Sequence, residues 1–325
     1  MRKETLLFFL FISFSMCYSQ GTAIGKWKNY FPFRNVIDVV KNGNTVYAAT
    51  LNGILISNFE EGTVEKLTEV NALSDNNITA IDYNTANEVL VIGYANGNVD
   101  IVDGNETTNL FQIMQSSLTG DKSIYDVYCN GNFAYISCGF GIVVFDVVKK
   151  EIKDSYIIGP GGTQIRVNAV ALYKGKIYAG TENGLYSANE SSAFLTDFNS
   201  WTKSSSIPSL NNQITLFTQF NNKLIANVKF SETQDFLYEF NGISWRNITT
   251  VGNKTNKSLH GFESVLTVNK FDTIYTLDTT YAINKMIVKY DPFTDVRANY
   301  AMFDGTNFYI GDRDNALIKT KDNLD

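Results

Sequence analysis

Val46-Tyr47-Ala48-Ala49-Thr50-Leu51-Asn52-Gly53-Ile54 returns almost intact as Ile177-Tyr178-Ala179-Gly180-Thr181-Glu182-Asn183-Gly184-Leu185. Two looser copies lie between them, Val89-Leu90-Val91-Ile92-Gly93-Tyr94-Ala95-Asn96-Gly97-Asn98-Val99 and Phe133-Ala134-Tyr135-Ile136-Ser137-Cys138-Gly139-Phe140-Gly141-Ile142-Val143. Counted over Gly53, Gly97, Gly141 and Gly184, the steps are 44, 44 and 43 residues. A fixed step in the forties that carries strand signals predicts a β-propeller or a related array. Each copy is a β-prone run, a short turn and a second β-prone run. The Asn52-Gly53 and Asn183-Gly184 pairs predict type I′ hairpins, whose two central residues both need positive φ. Ala48, Ala49, Ala179 and Gly180 are small, as strands crowding toward a shared axis require. The stretch reads as the middle hairpin of one blade.

The same rhythm places seven inner strands, starting near Val36, Ile78, Ile124, Val167, Ile214, Val265 and Tyr300. Second β-prone runs follow, as at Lys223–Val228, Thr273–Leu277 and Asn307–Gly311. The last unit reaches a third strand at Ala316–Lys319. Trp201 and Trp245 follow the inner hairpins of their blades and mark outermost strands. By analogy Trp27, within the run at residues 24–33, lies on an outermost strand that completes the seventh blade and closes the ring. The expected fold is therefore all-β: a single propeller of seven four-stranded blades closed by the N-terminal strand, with six blades as the alternative count. Thr250–Lys257 reads as a polar loop, and Ile158–Thr163 as the link between blades three and four.

Of the 325 residues, 44% are hydrophobic and 14% aromatic, and 4 are proline. That is enough for a large core, and a propeller absorbs nearly all of it in one domain. The net charge is −6, and no basic cluster occurs beyond the first three residues. Nucleic acid is excluded as a partner, because phosphate binding needs a positive footprint. Arg2 and Lys3 precede the apolar run Leu6–Phe14, and Ser19 before Gln20 offers a cleavage point. Residues 1–19 thus read as a signal peptide and 20–325 as the propeller. The apolar run is too short to span a membrane. Met16 before Cys17 is a poor match to a lipoprotein signal.

Export permits a disulfide between Cys129 and Cys138, but hairpin register argues against one. The turn at Asn130-Gly131-Asn132 sets Cys138 opposite a residue near Ile124, so the thiols stand too far apart along the strands. Both read as small buried residues.

Candidate chemistry is sparse. His260, the one histidine, stands beside Gly261 in an expected loop with no second ligand for zinc. Gly159-Pro160-Gly161-Gly162 lacks the Lys-Ser/Thr of a phosphate loop and reads as a blade connection. Asp312-Arg313-Asp314-Asn315 has oxygens at alternating positions, yet lacks the glycine and distal glutamate of a calcium loop and reads as a charged turn. Asn77, Asn105, Asn247 and Asn253 head Asn-x-Ser/Thr sequons, expected by chance in so asparagine-rich a chain. The 18 tyrosines and 23 phenylalanines mostly suit packing between blades. No catalytic residue, cofactor or metal is expected, and no ligand-binding residue is singled out.

Four stretches resemble the N-terminal propeller of the PorZ family, surface components of the bacterial type IX secretion system. They are Gly25-Lys26-Trp27-Lys28-Asn29-Tyr30-Phe31-Pro32, Asn71-Ala72-Leu73-Ser74-Asp75, Tyr94-Ala95-Asn96-Gly97-Asn98 and Ser137-Cys138-Gly139-Phe140-Gly141-Ile142-Val143-Val144. The last is the most specific. The resemblance implies a second propeller and a C-terminal sorting-type β-sandwich, neither of which lies in residues 1–325. It further implies a non-enzymatic scaffold at the cell surface or outer membrane, with the periplasm as the alternative location. Its implied partners are anionic lipopolysaccharide, the PorU sortase and other outer-membrane attachment proteins. The rival reading is a periplasmic sensor propeller of a hybrid two-component regulator, since such propellers share the Tyr-Ala-x-Thr-x-Asn-Gly style of repeat. A glycan-cleaving enzyme would need carboxylates or a histidine converging on one site, and no such set stands out in the sequence.

Overall fold

The computed structural model describes residues 32–205, 207, 212–291 and 294–321. They form seven antiparallel sheets arranged as blades. Six have four strands and the last has three among the described residues, with strands in sequence order from the axis outward. The inner strands are Val36–Asn42, Ile78–Asn84, Ile124–Asn130, Val167–Tyr173, Ile214–Phe220, Ser258–Phe262 and Ala298–Phe303. Each inner strand lies beside the next, and the seventh lies beside the first, so the ring is closed at seven. Of the expected Trp27 strand at residues 24–33, residues 24–31 lie outside those described, and Pro32 and Phe33 are not in a strand. Phe33 is buried where blade seven meets blade one.

Two expectations are corrected. Val265–Asn269 is the second strand of blade six, and Ser258–Phe262 is the inner one. The inner strand was hidden because its channel side is polar or small, so its sequence lacks the apolar run that marked the others. The second correction concerns the turns. Thr50 pairs with Gly53 and Thr181 with Gly184, so the two-residue loops are Leu51-Asn52 and Glu182-Asn183. Neither asparagine has positive φ. The glycine instead opens the next strand at φ +154° for Gly53 and +111° for Gly184. At Gly53 a Cβ would collide with the carbonyl oxygen of Leu67, which explains the glycine without a type I′ turn. The threonine closes the loop: its Oγ1 donates to the glycine carbonyl (3.0 Å at Thr50, 2.7 Å at Thr181) and accepts the asparagine amide. Paired positive φ values occur at the opposite ends of blades, in Lys174-Gly175 and Asn221-Asn222.

The core is seven apolar clusters, each between neighbouring blades. Ile54 and Ala49 of blade one pack with Ile78 and Leu90 of blade two. The pattern repeats around the ring until Met302 and Tyr309 of blade seven meet Val36 and Val46 of blade one. Crowding sets residue size. Gly93, Gly180 and Gly311 occupy second strands where the first side chain of the next inner strand presses in: Ile124, Ile214 and Val36. Aromatic stacking supplies further contact, as in Tyr47 on Tyr83 across blades (5.3 Å) and Phe240 on Trp245 (4.8 Å). Trp245 opens an outermost strand, as read from sequence, and Trp201 immediately precedes another.

Cys138 pairs with Ile124 and Ala134 with Cys129, which is the register expected from the turn. Both thiols are free, Cys138 buried and Cys129 partly so.

A Cβ on Gly311 would lie 2.6 Å from Val36 Cγ1. Gly311→Val should therefore overpack the junction that closes the ring, at a cost of about 1–3 kcal/mol. The measurement is a urea unfolding curve. A lower midpoint at unchanged slope is expected, and an unchanged midpoint would mean that the junction is loosely packed.

Candidate functional site

The inner strands enclose an axial channel with a cavity of about 510 Å³. Its wall is mixed, because an inner strand has its apolar side chains committed to the clusters between blades and turns the others toward the axis. Six of the seven inner strands also carry a register shift after their first residue, at Ile37, Thr79, Tyr125, Asn168, Thr215 and Asn299. Such bulges re-aim the side chains that follow.

Three carboxylates face this channel, Asp38, Asp82 and Asp126. Each ties its blade to the next. Asp38 Oδ2 accepts the Ile81 amide at 3.0 Å, Asp82 Oδ2 the Cys129 amide at 2.7 Å and Asp126 Oδ2 the Val170 amide at 3.4 Å. Asp38 and Asp82 also accept the amide that follows them in sequence, at 2.9 and 2.8 Å. Burial pushes the Asp38 carboxyl up to about 7 and Asp82 to about 6, against the opposing pull of these amides. Asp126 is raised well above the usual range by burial and by the charges of Asp38 and Asp82. The Tyr300 hydroxyl is raised by burial and by the same three carboxylates.

His260 belongs to this wall and not to a loop, which corrects the sequence reading. It is the third residue of the blade-six inner strand, opposite Thr267. Burial lowers it to about 4, against a smaller opposing effect of Asp304, so it is neutral at neutral pH. Its Nδ1 is buried without a hydrogen-bond partner among the described residues. The structure thus gathers three carboxylates and an imidazole that the sequence reading left scattered. One signal was available: residues 38, 82 and 126 are spaced by 44, the repeat step itself.

What this set can do is limited by its hydrogen bonds. The carboxylate oxygens are engaged by backbone amides, which makes them inter-blade clamps. Among the described residues no three His, Cys, Asp or Glu side chains approach closely enough to hold a metal ion.

The other sequence candidates have structural roles. Asp312 is buried in the turn between the second and third strands of blade seven. It accepts the Tyr290 hydroxyl (2.9 Å) and the amides of Asp314 and Asn315 (2.8 Å each). Gly159–Gly162 closes on itself through Gly159 N to Thr163 O (3.1 Å) and Gly162 N to Gly159 O (3.0 Å). In the Leu73-Ser74-Asp75 step, Leu73 is buried and the Ser74 amide donates to Asp100 (2.8 Å), which also accepts the Tyr94 hydroxyl (2.6 Å). Asn77, Asn105 and Asn253 are exposed, and Asn247 is half-buried on an outer strand.

Blades closed around a polar axial channel, with connecting turns at both ends, define a β-propeller. Residues 46–202 match the family model of the type IX secretion PorZ N-terminal β-propeller domain. No curated protein matches the sequence. Among solved structures the fold is similar to PorZ of Porphyromonas gingivalis, described as an essential surface component of the type IX secretion system. That likeness has a TM-score of 0.75 at 19% identity, over 91% of this chain and 38% of that one. The extracellular domain of a protein described as a hybrid two-component system from B. thetaiotaomicron follows at TM-score 0.67 and 13% identity, over 88% of this chain and 40% of that one. A chain of a mitotic checkpoint complex matches at TM-score 0.62 and 12% identity, over 91% of this chain and 98% of its own. At these identities the structural likenesses establish the fold. The chain spans well under half of the PorZ structure it matches. Among the described residues no helix is long and apolar enough to cross a membrane.

The channel groups carry opposite pH dependences. Asp38 and Asp82 rise from 3.8 in folding, so the stability they supply is complete below about pH 4 and is lost as pH climbs toward 7. His260 falls from 6.5 to about 4, so its contribution is complete above about 6.5 and is lost as pH falls through 4. Relative to the parent, Asp38→Asn should gain melting temperature as pH rises from 4 to 7. His260→Gln should gain it as pH falls across the same range. Thermal melts read the two slopes; curves parallel to the parent's would overturn the assignment.

Proposed function

We propose that the chain is a non-enzymatic binding and scaffold component of the type IX secretion system, exported by its N-terminal signal and held at the cell surface. In this reading it assists delivery of anionic lipopolysaccharide to the PorU sortase, which attaches it to secreted cargo. The observation that carries the reading is the match of residues 46–202 to the PorZ N-terminal propeller. The chemistry of the channel supports it, because its carboxylates serve as backbone clamps and its imidazole has no acidic or nucleophilic partner in hydrogen-bond reach among the described residues. Binding then falls to the turns at the ends of the ring. The rival reading, a sensor propeller binding a glycan or small ligand, is favoured by the likeness to the two-component ectodomain. It has the lower TM-score and no family match.

The test is expression of a tagged chain in a type IX-secreting bacterium that lacks its own PorZ. The chain should reach the surface fraction and co-purify with the sortase and with lipopolysaccharide. Recovery of neither from an exported chain would overturn the delivery reading. Release of oligosaccharide from purified lipopolysaccharide by the chain alone would overturn the non-enzyme reading.

A further inference from the structure

A second cavity, of about 760 Å³, opens on the face formed by the inter-blade links and the turns between second and third strands. It spans blades five to seven and touches the channel mouth, since Lys257 lines both. Four cations line it, Lys254, Lys257, Lys270 and Arg313, against one carboxylate, Glu232. Glu232 is itself paired with Lys229 at 2.9 Å. This is a cationic hollow on a chain of net charge −6.

Three of the four, Lys257, Lys270 and Arg313, make no ion pair among the described residues, although the charges of Asp235 and Asp272 act on Lys270. The Gln234–Lys254 bridge and the Lys257 amide's bond to Asn269 O (2.7 Å) fix the link from blade five to blade six. Lys270 is buried, and its Nζ donates to a neutral group, the Lys254 carbonyl, at 2.8 Å. Lys254 is shared with Asp272 at 3.3 Å. Lys257 and Arg313 make no ion pair or side-chain hydrogen bond among the described residues. Arg297, close to Arg313 in the fold, is by contrast paired with Asp314 at 3.0 Å.

The same wall carries a half-buried aromatic, Phe271, in the blade-six turn at φ +69°. A bulky residue in the left-handed region is costly, and such positions cluster at ligand sites. The turn is pinned by the Phe271 amide on Asn269 Oδ1 (3.2 Å) and the Ala298 amide on Phe271 O (2.8 Å). Cations beside an aromatic ring suit a sugar that bears a negative group. The volume fits a small-molecule site.

We infer that this cleft is a binding site for an anionic saccharide, with Lys257, Lys270 and Arg313 taking a phosphate or carboxylate and Phe271 offering its ring to the sugar. The inference deepens the delivery reading by locating a glycan-binding site, and rests on it only for the expectation that the ligand is a surface glycan.

The experiment is isothermal titration of the purified chain, at low salt, with glucose 6-phosphate, glucuronate, glucose and inorganic phosphate. The two anionic sugars should bind, and glucose and inorganic phosphate should each bind at least about tenfold more weakly. Lys257→Ala with Arg313→Ala, both exposed positions, should reduce binding by about tenfold or more and leave the circular dichroism unchanged. The phosphate and carboxylate arms tell which anion is preferred. Salt should weaken binding. At pH 8 a bound anion should draw a proton onto Lys270, which burial and the Lys254 charge hold near 8 against the opposing pull of Asp235 and Asp272, so heats in Tris and HEPES should differ. Equal binding of glucose, equal binding by the double variant, or no binding of either anionic sugar would overturn the site. Sugar binding without sortase co-purification supports the cleft and fails the delivery reading; co-purification without sugar binding does the reverse.

Discussion

The structure depends on how a ring of inner strands meets at its seams. An inner strand pairs with its own blade on one side and leaves backbone groups facing a neighbour that cannot form a ladder with it. A buried backbone donor or acceptor without a partner is costly, so each seam needs a substitute. Side chains provide it at all seven junctions. Asp38, Asp82 and Asp126 serve the first three seams, and Asn168 Nδ2 donates to Ile214 O (2.9 Å) at the fourth. Thr218 and Ser258 accept the amides of Gly261 and Ala301 (3.0 Å each) at the next two. Asn299 Nδ2 reaches Val36 O (2.9 Å) where the ring closes.

This constraint explains the chemistry of the channel. The clamps need short polar side chains at positions that the fold buries, and a carboxylate accepts two amides at once. Its charge is the cost, visible as the raised pKa values of the three aspartates. Serine, threonine and asparagine do the same work uncharged in blades four to seven. The channel is therefore acidic on one side of the ring for a structural reason, and the concentration of carboxylates there does not imply catalysis.

Packing between blades is governed by the same geometry. Strands converge toward the axis, and in blades two, four and seven the second strand carries Gly where the next inner strand's first side chain arrives. Gly180 against Ile214 and Gly311 against Val36 show the complementarity that a closed ring demands. The polar ends of the blades are under no such demand. Asp100, Asp235 and Asp312 each tether an incoming link or turn there, while Lys257 and Arg313 remain unpaired. Freedom from packing is what lets the rim differ from blade to blade.

Much of the fold was legible in the chain. The 44-residue step, the strand-turn-strand unit and the register that separates Cys129 from Cys138 are local patterns, and local patterns survive into structure. The blade-six inner strand was not legible, because Ser258-Leu259-His260-Gly261-Phe262 faces a polar channel and lacks the apolar run that marks a strand. Nor was the role of Asn52-Gly53, since the glycine answers a clash with Leu67 O from a strand that arrives later in the chain. The sequence by itself determined the repeat and the all-β class, since each rests on residues close together in the chain, whereas the choice of seven blades over six needed the contact between the first and seventh inner strands. Only the tertiary structure decided that Asp38, Asp82, Asp126 and His260 share one channel, and that Lys257, Lys270 and Arg313 share one cleft. The four channel residues come from four blades, and Arg313 of blade seven meets the blade-six pair Lys257 and Lys270 only because neighbouring blades pack side by side.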